Sequence, residues 1–492
     1  MRMTIVVLVF VFAALKGVGQ DTTFHLTIGT AGVEEAVDLF ETNDGVILFG
    51  NTGNTVNGQS DIYILNLSSY FTLIDSKRYG TAGIEKLTSV SRLNNGNYVL
   101  ASYSYSGYST SDYDIRLDVA DSLGNIFKTQ ILEKPGVQTP LDLSANEQTV
   151  FLLARTEGAS LADMFEVLTF DYELNEGESF GIVLDDSFAL NAMELQDNSI
   201  WIVGEVIPED STFSDVLILK LSFSGNILLQ KNYGGSKSDY ASSILIDGDS
   251  TILITGSTAS FDSQDFDSYV LSLDTSSNLI WQEPFGYNPF VQNYNDFGVK
   301  SIKTFSGKYI NGVSTRTYGE GEEDFHLYQI SDTGAYESGN SYGLMGIESL
   351  RSIMQGRDSN YYLFGTTNTG GNGLTDLFLV KTPTASPGPI KMYSTLEDST
   401  DVIEYSLALS PVNDLSGIGY LIYNDLRPSI VINSGSNNLD LWVYNVQGKL
   451  VRKEVVTDSV VDFLGLNAGV YIVKIGYGDH LVQCFKIITP TP

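Results

Sequence analysis

Two short markers recur seven times along this chain, in the same order and about 52 residues apart. Self-similarity at a fixed period is the signature of a repeat architecture. The first marker is a small residue closing an apolar run, as in ILITGST. It falls at Gly50, Ala101, Ala154, Gly204, Gly256, Gly312 and Gly365. The second is an aspartate just ahead of the next apolar run, at Asp61, Asp114, Asp163, Asp215, Asp267, Asp324 and Asp376. One full block, Tyr233 to Pro284, holds four short apolar or alternating runs broken by Gly, Asp, Ser and Asn. That is strand-and-turn grammar without a helical period.

A four-stranded antiparallel sheet of this size cannot bury both faces alone, so successive copies have to stack. Radial stacking gives a propeller, which leaves only short, protected edges. The expectation is an all-β chain whose main domain is a seven-bladed β-propeller. The recurring aspartates are read as scaffold, accepting backbone N–H groups at the entry to each third strand, because they occur once per block. The last block, from Tyr342, writes only three strands before PTASPGP, and TTFHLTIGT at residues 22–30 matches the missing one. The N-terminal strand is therefore expected to complete the final blade and close the ring. Closure removes the open edges that invite aggregation.

The remaining composition narrows the compartment and the partners. Asp and Glu outnumber Lys and Arg by 60 to 27, a formal charge of -33. Such a field repels phosphate backbones and argues against nucleic acid. Hydrophobic residues make up 42% of the chain, enough for large cores without disulfides, and the single cysteine allows no intramolecular one. Cys484 alternates with apolar neighbours and reads as a buried small hydrophobe. Arg2, the apolar run Ile5 to Leu15 and the small residues of KGVGQ have the layout of a cleavable signal peptide over residues 1–20. The propeller then spans 21–381, a Pro/Ser/Thr/Gly-rich linker 382–405, and a small β-sandwich 406–492.

In that last region three elements stand out: the hairpin LWVYNVQGKLV (Leu441 to Val451), the stretch DFLGLNAGVYIVKI (Asp462 to Ile475) and the terminal FKII (Phe485 to Ile488). By order, spacing and distance from the C-terminus they resemble the C-terminal sorting domain of type IX secretion cargo in Bacteroidetes-like bacteria. The matching positions are Gly448, Lys449, Gly469, Tyr471 and Lys486. Where the family often opens with a Pro-Asn-Pro turn, this chain has SPVND (Ser410 to Asp414), and it ends ITPTP beyond Lys486. The resemblance implies passage through the outer membrane, handled by the type IX translocon and its outer-membrane shuttle and attachment machinery. The sorting domain is then usually removed, and the cargo is attached to surface lipopolysaccharide or released.

Chemistry is harder to find. The three histidines lie in separate places: His25 in the closing strand, His326 in a third strand and His480 in a turn of the C-terminal domain. No Ser-His-Asp arrangement, histidine or cysteine metal cluster, or phosphate-cradling loop is written here, so no catalytic residue and no cofactor is assigned. Calcium is the one metal weighed, with Asp262 and Asp265 of DSQDFDS and the acids of GEGEED as oxygen donors; neither segment fits an EF-hand, and solvated loop acids are the alternative. Tyrosines concentrate in YSYSGYSTSDYD, where Tyr105 and Tyr108 offer amphipathic contact area for a glycan or a surface protein. The alternative there is that Tyr103 and Tyr105 simply continue a strand. The functional expectation is a secreted or cell-surface, non-catalytic binding or adhesion scaffold. Two others stand beside it: a propeller enzyme acting on polysaccharide, which an acidic pair meeting at one mouth of the channel would support, and a component of the outer-membrane secretion or gliding apparatus.

Overall fold

The computed structural model describes residues 22–53, 59–69, 71–81, 83–105, 113–134, 136–157, 164–248, 251–261, 265–286, 294–319, 321–371, 373–383, 390–397, 405–409, 419–424, 427–432, 439–445, 450–456, 460–463, 466, 469–477 and 480–489. The chain divides into two compact units, one carrying Leu26–Pro387 and the other Tyr405–Pro492.

The first unit is a seven-bladed propeller. The first blade has strands Glu34–Glu41, Gly45–Thr52, Asp61–Ser68 and Leu73–Tyr79, hydrogen-bonded in that order, and five further blades repeat the plan. The seventh has Glu348–Gln355, Tyr361–Thr367 and Asp376–Thr382 from its own segment. Its fourth strand is Thr22–Gly29, bonded beside Asp376–Thr382. Leu26 and Ile28 of that strand are each 1% exposed. The N-terminal strand thus closes the ring.

The sequence folds this way because the second and third strands of each blade are covered on both faces by neighbouring blades. They read as continuous apolar runs, such as VILF and IYIL in the first blade, where every one of those side chains is buried. The outer strands are exposed on one face, and Leu73–Tyr79 holds no buried residue. The cores lie between blades. Val99, Leu117, Leu152 and Phe170 fill one gap, and Trp201, Val203, Ile254 and Tyr269 another. The turns between third and fourth strands share one device. Asp171 Oδ1 accepts the Glu173 and Asn175 N–H groups, and Asp274 Oδ1 accepts those of Ser276 and Asn278. The Asn175 and Asn278 side-chain amides donate to the other oxygen, and together with these backbone bonds they hold both carboxyls below the usual range.

Two readings of the sequence shift in register. The position facing the last first-strand residue before its bulge is Gly50, Ala154, Gly204, Gly256 and Gly365 in five blades, but Ser102 and Val313 in the other two. Ala101 and Gly312 sit one place earlier, opposite the residue just past the bulge. The strands also run on past the small residue, to Thr52 in the first blade. The aspartates begin their third strands, as Asp61 and Asp376 do, rather than preceding them; Asp163 lies outside the described residues.

The C-terminal unit has two antiparallel sheets. One orders Gly419–Asn424, Arg427–Ile432 and Val460–Asp462. The other orders Leu450–Val456, Leu439–Asn445, Gly469–Tyr477 and His480–Thr489. Leu441, Val443, Val461, Phe463, Tyr471 and Val473 are buried in it. The stretch read as a linker holds a strand, Ile390–Glu397, and His480 opens a strand instead of lying in a turn.

Candidate ligand-binding channel

The first strands of the seven blades form the inner ring, each against the next. Every one carries a bulge at the same place, leaving Val37, Thr88, Leu141, Asn191, Ser242, Val299 and Arg351 out of the ladder. A bulge bends its strand and re-aims the side chains around it. Here all seven line a central channel of about 900 Å³.

Just past each bulge, polar side chains tie one blade to the next. Asp142 accepts from Ser89 Oγ at 3.0 Å, from the Leu143 N–H at 2.9 Å and from the Met193 N–H at 2.8 Å, and so spans three blades. Asn191 Nδ2 donates to the Ala241 carbonyl at 2.8 Å. Lys300 Nζ donates to Ser352 Oγ at 3.2 Å, and Ser352 Oγ donates to Asp38 Oδ1 at 2.6 Å. Burial raises the Asp142 carboxyl to about 6 against its three donors. Burial, with the Asp142 charge beside it, raises Glu194 to about 7, and Lys300 pulls both down from the same channel. Glu194 lines the channel half-buried.

One end of the channel differs from the other. The connections from second to third strands, such as 208–214, 316–323 and 368–375, all leave from the end where the first strands begin, and only tight turns occupy the opposite end. Tyr240 and Phe297, each the second residue of a first strand, line the channel at that longer-looped end. Phe266 packs between them, with ring centroids 5.6 and 6.2 Å away.

Of the residues singled out in the sequence, Tyr105 ends a second strand and packs on Tyr113 at 5.5 Å, as Tyr103 does at 5.3 Å, so both continue the strand. Tyr108 lies outside the described residues, as do Asp262, Gly448 and Lys449. Asp265 is exposed in a loop. Among the described residues no three His, Cys, Asp or Glu side chains gather as a metal site. Gly469 opens its strand, Tyr471 is buried within it, and Lys486 lies in the last strand, opposite Ile472. His326 is half-buried, stacks on Tyr318 at 5.2 Å and bonds Ser341, and desolvation lowers it to about 4. It stands in a third strand, outside the channel lining.

Sequence reasoning missed the channel set of Asp142, Glu194 and Lys300. Nothing local marks them, because the bulge that aims them has no residue signature. It also missed a recurrent acid in the first strands, three residues ahead of the bulged one, at Glu34, Glu85, Asp239, Asp296 and Glu348. A glycine precedes it by five residues in four blades, and that spacing could have revealed it.

Residues 427–489 match the family of secretion system C-terminal sorting domains. No curated protein matches the chain. Among solved structures, the β-propeller domain of the trilobed protease from Pyrococcus furiosus aligns with a TM-score of 0.42 at 15% identity, over 73% of this chain and 98% of that one. The parainfluenza virus 5 hemagglutinin-neuraminidase ectodomain aligns with a TM-score of 0.40 at 9% identity, over 73% and 82%. At those values the likenesses carry nothing about activity.

Proposed function

We propose that this cargo of the type IX secretion system, exported to the cell surface or the extracellular space, is a non-catalytic binding scaffold that takes a glycan or a surface protein at the longer-looped mouth of its channel. The observation that supports this reading is how the charged groups of the inner ring are used. Asp142 has three donors and Lys300 is joined to Ser352 and Asp38, so they hold blades together. Around them the wall offers Thr88, Ser91, Ser144 and Ser243 with the rings of Tyr240 and Phe297. Hydroxyls and aromatic faces suit recognition, since a large ring gives contact area and the hydroxyls fix orientation.

Binding of the mature chain to arrayed glycans and to host-surface proteins tests it. Tyr240→Ala and Phe297→Ala should each weaken a captured ligand at least about tenfold, or ~1.4 kcal/mol. Retention unchanged in both variants, or no ligand of either class, would contradict the reading.

One observation favours a second reading, a hydrolase of polysaccharide. Glu194 and Asp142 form an acidic pair in the channel, and a carboxyl raised to about 7 is poised for proton transfer near neutral pH. Loss of measurable polysaccharide cleavage in Glu194→Gln, with wild-type cleavage present, would favour the enzyme over the scaffold.

A further inference from the structure

The recurrent acid at the start of the first strands meets the aspartate of the preceding blade's third strand at the seam between them. The backbone sets this up. In six seams the N–H of the first-strand residue donates to the carbonyl just before that aspartate, as Glu85 does to Ser60 at 2.9 Å and Glu348 to Glu323 at 2.7 Å. Four seams then repeat one arrangement. An oxygen of each partner packs against the same glycine: Asp61 and Glu85 on Gly80, Asp215 and Asp239 on Gly234, Asp267 and Asp296 on Gly286, Asp324 and Glu348 on Gly343. At each of these glycines a Cβ would overlap the aspartate's carboxylate oxygen, so no other residue allows the approach.

The chain carries its own control. Where Gln138 and Phe188 replace the first-strand acid, Glu133 and Val183 replace the glycine. The glycine is present where the pair is present.

Two of these pairs, Asp267 with Asp296 and Asp324 with Glu348, are dry. Asp296 is 1% exposed, Asp324 2% and Glu348 0%. Two carboxylates side by side in such a place cannot both keep their charge without compensation. A cation does not fit the surroundings, which are donors. Glu348 accepts the Leu344 N–H and Thr367 Oγ1, Asp324 accepts the Gly321 N–H, and Asp296 accepts Thr315 Oγ1 at 2.5 Å and the Arg316 N–H at 3.1 Å. Calcium needs six to eight oxygens. The remaining option is a hydrogen between the two carboxyl oxygens that meet at the glycine, Asp324 Oδ1 and Glu348 Oε2 at Gly343.

We propose that the Asp267–Asp296 and Asp324–Glu348 seams each hold one proton shared between the two carboxyl groups in mildly acidic solution, and that losing it as the pH rises loosens the ring. Among the described residues, the charged and titratable groups beside the two most buried pairs include Arg316, Glu323, Tyr318, Tyr328 and His326. Arg316 is bonded to Glu323 at 2.9 Å, the tyrosines are raised, and His326 is neutral, so none of them supplies the missing charge. Burial, with Asp324 adjacent, raises Glu348 to about 7, and burial raises Asp296 to about 6. Both folded-state values lie above the unfolded ones. The stabilisation is therefore complete below the ordinary carboxylate range and is lost as the pH climbs through about 6 to 7.

The test is urea unfolding of the mature full chain from pH 5 to pH 8. Each seam proton makes the folded-to-unfolded ratio fall about tenfold per pH unit from pH 5 up to its folded-state value of about 6 to 7, and the fall levels off above that. In Asp324→Asn the amide donates to Glu348 in place of the proton while its oxygen keeps the Gly321 bond, so the slope should drop by one proton. Should that variant fail to fold, Asp296→Asn at the neighbouring seam reads the same loss. Independently, the infrared carbonyl stretch of a protonated carboxyl should be weaker in either variant than in wild type at pH 5.5. Stability that is flat or rising from pH 5 to pH 8, or wild-type slope and wild-type infrared intensity in the variant, would overturn the proposal.

Discussion

Ring closure by the N-terminal strand is tested by Leu26→Ala. Leu26 is 1% exposed in a strand bonded to Asp376–Thr382, far away in sequence. Truncating a buried leucine removes its transfer free energy and leaves a cavity, about 2–5 kcal/mol in all. Ile28, equally buried, adds to the same strand. Leu26 and Ile28 together hold about 3–6 kcal/mol by burial, a large part of the ~5–15 kcal/mol typical of a folded domain. Urea unfolding followed by far-ultraviolet circular dichroism measures it, and the control is Ile74→Ala. Ile74 lies on an outer strand at 59% exposure, and its loss should stay within about 0.5 kcal/mol. Leu26→Ala should move the midpoint well below wild type while Ile74→Ala leaves it in place. Equal midpoints in the two variants would refute the closure argument, because they would mean the strand contributes no core.

Two local predictions follow from the same geometry. A Cβ at Gly256 would overlap the Tyr240 carbonyl, so Gly256→Ala should destabilise by about 1–3 kcal/mol, measured as a lowered urea midpoint. Ser277 holds φ at 57° in a turn where other blades place glycine, its Oγ is buried without a hydrogen bond, and the groups it serves bond its carbonyl. Ser277→Gly should therefore stabilise by about 0.5–1 kcal/mol, and a lowered midpoint would count against the strain.

The blade count was legible because its markers answer local demands. Asp61 and its described equivalents begin a third strand, and Gly50 or Gly256 stands where a Cβ would strike backbone. The closing strand was legible because TTFHLTIGT completes a pattern that the last block leaves unfinished. The seam acids were not, because the position alternates between Glu and Asp, reverts to Gln138 and Phe188 in two blades, and is displaced from Gly286 by an insertion before Asp296. The channel was not, because which face Asp142 or Glu194 presents depends on a bulge, and a slip of one residue in a strand reverses every side chain. Tyr105 drew attention as a loop residue by composition, yet the ladder to Ile84 places it in a strand.

The claim that the C-terminal domain delivers the propeller is tested most directly by deleting residues 427–492 in a host with a type IX system and locating the propeller by surface proteolysis and fractionation. The full chain should be protease-accessible at the surface or present in the medium, and the deleted chain should remain folded in the periplasm. Surface delivery undiminished by the deletion would contradict the account.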